Sequence, residues 1–116
     1  MSPSNEHQTR RTAEYGARNF LQQYGYEVAR VTERKGALPA LFHLIAWNRV
    51  NGVVFIRIGS PRMQKAAVQE EILRLSIQVR TGQYPGEVQF WMGEGDSWKR
   101  YLICPGGAVR IMGGLP

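Results

Sequence analysis

The apolar positions of this chain change period several times, and each change marks an element. From Thr9 to Tyr24 the residues Ala13, Ala17, Phe20, Leu21 and Tyr24 recur at helical spacing, which gives a helix one apolar face. Gly25 follows, and its tolerance of positive φ supplies a left-handed stop. Three segments rich in β-branched and aromatic residues come next: Tyr26 to Thr32, Ala40 to Trp47 and Val53 to Ile58. The helical period returns in Val68, Ile72, Leu75 and Val79, after a Ser60-Pro61 pair suited to opening a helix, and is expected to stop near Gly82. Glu87 to Met92 and Trp98 to Cys104 read as strands around the hairpin turn Gly93-Glu94-Gly95-Asp96-Ser97. Pro105-Gly106-Gly107 leads into a last strand from Ala108 to Met112.

The order α-β-β-β-α-β-β-β predicts an α/β fold: a three-strand meander, then a helix-strand crossover, in a mixed sheet flanked by helices. Residues 1–8 read as a flexible tail and 9–116 as one domain, since 116 residues that are 43% hydrophobic suffice for a single core. There is no internal repeat and no low-complexity stretch. The second and third strands form a hairpin whose register has two solutions. If Asn48 to Gly52 make the loop, Trp47 opposes Val53 and His43 opposes Arg57; if Asn51-Gly52 is a two-residue turn, Arg57 opposes Ala46.

Charge adds a partner class. Fifteen Lys and Arg against nine Asp and Glu give a formal +6, which favours polyanions such as nucleic acid. Twelve of the cations are Arg, whose planar fork suits phosphate, although a GC-rich genome produces the same bias. The longest apolar run, Leu38 to Trp47, is interrupted by Pro39 and His43 and is too short to cross a bilayer. With a polar start and a lone Cys104 that has no disulfide partner, the expectation is a soluble, cytoplasmic protein with no membrane partner. Cys104 reads as a small hydrophobe rather than a nucleophile. His7, His43 and Cys104 have no metal-ligand spacing, and Gly93-Glu94-Gly95 lacks the strand-to-helix setting of a phosphate loop.

Several short segments resemble a known group. Glu14 to Arg30, with Phe20-Leu21, Gly25-Tyr26 and Val28-Ala29-Arg30, is similar to the opening helix and first strand of the archaeal Holliday-junction-resolvase-like members of the PD-(D/E)XK nuclease superfamily. His43-Leu44-Ile45-Ala46-Trp47 resembles the group's Asp-Leu-Ile-Ala segment, and Phe55-Ile56-Arg57-Ile58-Gly59 its apolar strand ending in Glu/Gln-Val-Lys. The likeness spans about Ala13 to Arg80 and implies a restriction-endonuclease-like fold.

It also implies a hydrolase that holds Mg²⁺ on Asp and Glu, with a Lys that positions the attacking water. Here His43 stands at the Asp position, Arg57 at the Glu and Gly59 at the Lys, so only the helix acid, Glu14, keeps its type. Arg57 cannot ligate a metal, and its fixed charge opposes one. The expectation is therefore a catalytically inactive or crippled nuclease-fold protein with no cofactor, binding structured DNA through a basic surface. That surface would use Arg57, His43, Arg34, Lys35, Arg49, Arg62, Lys65, Lys99 and Arg100. Two alternatives stand beside it. One is an active Mg²⁺-dependent endonuclease with relocated groups drawn from Glu33, Glu70, Glu71 and Lys65. The other is a protein-interaction or dimerisation module, its homodimer formed through edge strands of the C-terminal addition. Glu14 has a plainer role open to it as an ion-pair partner of Arg10, Arg11 or Arg18.

Overall fold

The computed structural model describes residues 4–31, 41–60, 62–82 and 84–112, with side chains from Thr12 onward. The elements are α1 (Ser4–Gln23), β1 (Glu27–Arg30), β2 (Leu44–Asn48), β3 (Gly52–Ile58), α2 (Lys65–Thr81), β4 (Glu87–Glu94), β5 (Ser97–Cys104) and β6 (Gly107–Ile111). This is the expected order. Helix α1 begins at Ser4, ahead of Thr9, and β1 is shorter than the span assigned to it; Thr32 and Ala40 lie outside the described residues. Gly25 takes φ +85° and turns the chain from α1 into β1, as its position predicts.

The strands form one six-stranded sheet in sequence order, antiparallel throughout except for the parallel pair β3–β4. That pair needs a crossover, which α2 supplies. Gly86 sits at the entry to β4, where a Cβ would collide with the backbone of Val53, so glycine allows β4 to start tight against β3.

Alternation along each strand builds two cores. Leu44 and Ala46 of β2 and Val54, Ile56 and Ile58 of β3 face α1, where they meet Ala17, Leu21, Tyr26 and Trp91. The opposite face carries Phe42, Val88, Phe90 and Ile103, which pack with Leu75 under α2. α1 lies over β1 to β3, and α2 over β5 and β6.

The hairpin register is the one that pairs Trp47 with Val53 and Asn48 with Gly52. Asn48 fixes it: its Oδ1 accepts the Asn51 N–H at 2.6 Å, closing a loop of Arg49, Val50 and Asn51, and Gly52 alone takes positive φ. Helix α2 corrects a second expectation. Ser60 does not cap it; its carbonyl accepts Met63 N–H at 3.2 Å in a separate turn, and the helix begins at Lys65 behind Gln64. No described helix is long and apolar enough to cross a membrane.

Candidate functional site

Arg57 lies on the face of β3 that packs under α2, and His43 stands just before β2, at the same end of the hairpin. Arg57 is held there from two sides. Its Nη1 donates to the Leu41 carbonyl at 2.9 Å, and its Nε forms an ion pair with Glu71 of α2, both side chains being mostly buried. His43 Nδ1 accepts the Ile58 backbone N–H at 2.8 Å, which in the neutral ring leaves the proton on Nε2. Gly59 is buried on the same face. A Cβ built there would lie 2.6 Å from the Phe90 ring, so the Phe90 ring fills the space that a side chain at this position would need.

Glu14 does not join them. It is 6% exposed on the α1 side of the sheet, and its carboxylate takes the Arg30 Nε at 3.1 Å. Its partner is thus a residue of β1, not Arg18 of its own helix; the side chains of Arg10 and Arg11 lie outside the described residues. Arg18 and Arg30 both lie against the Tyr15 ring, 4.8 and 5.5 Å from its centroid. The residues expected to share one site are therefore divided by the sheet: Arg57 and Gly59 lie under α2 and Glu14 under α1, while His43 bonds the β3 backbone at the end of the hairpin.

This donor set does not fit a divalent cation, which seeks several oxygen ligands. It offers a guanidinium, an imidazole whose Nδ1 is occupied by a backbone amide, and a glycine. Among the described residues no three His, Cys, Asp or Glu side chains converge. Of the carboxylates considered for a relocated site, Glu71 is engaged by Arg57, Glu70 is exposed on the outer side of α2, and Glu33 lies outside the described residues.

The other cations separate by the end of the sheet they occupy. Arg49 is exposed in the β2–β3 loop, at the amino end of β3. Arg62 and Lys65 are exposed at the carboxyl end of β3, and Lys99 is half-buried near the start of β5, opposite Met92 of β4 and so at that same end. Arg30 closes β1 there as well. The N-terminus of α2 opens on this end, because α2 returns antiparallel to β3. Arg34 and Lys35 lie outside the described residues.

Arg100 corrects another expectation. It is 3% exposed, under the α1 face against the Trp91 ring at 5.7 Å, and is no surface contact. Burial pushes its guanidinium below the usual value, with nearby Tyr24 and Tyr26 acting the other way. Among the aromatics, Phe90 and Trp91 are core residues, Trp98 packs against the α1-side core, and Trp47 is 40% exposed.

Open cavities also indent the surface among the described residues. One of about 500 Å³ lies at the far end of α2, lined by Val79, Tyr84, Val88, Leu102 and the half-buried Cys104. Another, about 340 Å³, lies between α1 and the β4–β5 turn, beside Asn19, Phe20, Asp96 and Trp98. Comparison with protein-family models, with curated proteins and with solved structures returned no match.

Proposed function

We propose that this protein binds nucleic acid, DNA in the first instance, through the carboxyl end of its parallel strand pair, on a nuclease-like scaffold that lacks the metal-dependent chemistry. The observation that carries the reading is that Arg62 and Lys65, at the N-terminus of α2, and Lys99, near the start of β5, occupy the same end of the sheet, the end where β3 and β4 finish. Open α/β sheets take ligands at this end. A helix N-terminus favours phosphate, and the first turn of α2 carries no acidic residue to oppose it.

The meander, crossover and parallel fourth strand supply the mixed α/β sheet that the reading needs. The role for Arg57 changes under this reading. An arginine already bound to Glu71 and the Leu41 carbonyl organises the scaffold, and phosphate contact passes to the exposed cations.

The test is binding to duplex, single-stranded and four-way-junction DNA over a salt series, with and without Mn²⁺, scored for binding and cleavage. Affinity is expected to fall steeply with salt, without cleavage. Arg62→Ala and Lys65→Ala should each flatten the salt slope by about 1. Arg49→Ala, at the opposite end, should change it little. Binding that ignores salt, or that weakens equally in Arg49→Ala, would sink the reading; Mn²⁺-dependent cleavage would restore the enzyme alternative.

A further inference from the structure

The sheet has two outer edges, and they are built differently. β1 is four residues long, begins with Glu27 and ends with Arg30, which is bound to Glu14. Short, charged edges resist pairing with another strand. β6, Gly107-Ala108-Val109-Arg110-Ile111, has one charge, and that side chain leans inward over the Tyr101 ring at 6.0 Å and toward Glu94 at 3.7 Å. Val109 is 59% exposed.

The pattern of β6 hydrogen bonds determines how a strand would add to it. The β5–β6 turn is a two-residue turn closed by Cys104 and Gly107, so hydrogen-bonded pairs recur at Leu102–Val109 and Arg100–Ile111. Gly107, Val109 and Ile111 therefore point their N–H and C=O groups toward β5. Ala108 and Arg110 point theirs outward, and among the described residues no strand lies beyond β6.

We propose that a second copy of this chain occupies that edge, β6 pairing antiparallel with its own two-fold mate to make one continuous twelve-stranded sheet. Ala108 of each copy exchanges both backbone hydrogen bonds with Arg110 of the other, and the two Val109 side chains meet at the axis as a close, non-hydrogen-bonded pair.

The helix layer fits the same operation, and this distinguishes a second copy from an arbitrary added strand. Helix α2 lies over β5 and β6, anchored by Ser76 Oγ donating to the Gly107 carbonyl at 3.2 Å. With strands about 4.8 Å apart, an α2 axis midway between β5 and β6 lies about 5 Å from a two-fold axis at the β6 edge. Its mate then lies about 10 Å away and antiparallel, which is helix-packing distance.

The level matches too. Val109 lies two residues beyond Gly107, about 7 Å along β6, and α2 runs the other way, so that distance is about four to five helical residues back from Ser76. This is the turn that carries Leu73, on the Ser76 side of the helix and 63% exposed. Leu73 thus faces its mate across the axis, with Ile77, also exposed, one turn along.

Sedimentation and light scattering of the full chain test this, with folding of each variant checked by circular dichroism. The wild-type chain is expected to be a dimer. Val109→Lys places like charges face to face and should give monomer, as should Leu73→Glu; Val50→Lys, on the exposed β2–β3 loop, should remain dimeric. In a Cys104→Ser background, mild oxidation should cross-link Val109→Cys into a covalent dimer and leave Val50→Cys uncross-linked. A monomeric wild-type chain, a dimer that survives both Val109→Lys and Leu73→Glu, or equal cross-linking at both positions would overturn the proposal.

Discussion

Arg57 and Glu71 show how one ion pair decides what a side chain is available to do. Arg57 pairs its Nε with the Glu71 carboxylate and donates Nη1 to the Leu41 carbonyl, so it is engaged from two sides within the protein. Removing the carboxylate leaves a largely buried positive charge without its counterion, a costly arrangement. Glu71→Ala is expected to destabilise by about 2 kcal/mol, seen as a fall of about 8 °C in thermal unfolding at neutral pH. The double variant Arg57→Met, Glu71→Leu should recover most of that loss, because it removes both charges. An unaltered Tm in Glu71→Ala would show that the pair contributes no stability and would return Arg57 to the candidate phosphate contacts. That positions 43, 57 and 59 carry His, Arg and Gly was legible in the sequence, but the partners of these residues were not. Glu14 and Arg30 stand sixteen positions apart on different elements, and Arg57 meets a helix that follows it only after a turn. Such pairs depend on which strand face each residue occupies.

At the scale of elements, apolar periodicity located the two helices and six strands of the described residues, the first strand a little off, because each must bury one face or stripe. Boundaries were less legible where short polar residues could serve two purposes. Ser60 had the chemistry of a helix cap and forms an isolated turn instead, so α2 starts behind Gln64, which has extended φ/ψ and makes no side-chain capping bond. The hairpin register depends on a bond that spacing alone does not specify, Asn48 accepting from Asn51. The uncapped Gln64 provides a discriminating test. Gln64→Asp supplies a capping acceptor and a favourable charge at the helix N-terminus, and should stabilise the fold by about 1 kcal/mol in denaturant unfolding. The same carboxylate should weaken DNA binding if phosphate docks at this helix end. Stabilisation with DNA affinity unchanged would place the phosphate elsewhere.

Across the whole molecule, part of the charge is paired off internally. Several carboxylates are taken up within the fold: Glu14 by Arg30, Glu71 by Arg57 and, more loosely, Glu94 by Arg110. Under the proposed reading, exposed Arg62 and Lys65 at the carboxyl end of β3 contribute to the field that a polyanion meets. The sheet itself is divided in a way that bears on how the chain acquires its structure. Every strand contact is a local hairpin or meander except β3–β4, which waits for the chain from Ile58 to Glu87 to close on itself. Trp91 sits at that seam: it belongs to β4, is fully buried, and fills the core otherwise formed by α1 and the first three strands, with its indole N–H donated to Gln89 at 2.8 Å. Its burial therefore reports the joining of two halves that can each begin to assemble alone. In a chain with Trp47 and Trp98 replaced by Phe, stopped-flow refolding should show the Trp91 fluorescence change in the last phase, after most far-ultraviolet ellipticity has returned. Simultaneous recovery of both signals would mean instead that the seam forms in the nucleus, and that neither half exists as a transient species of its own.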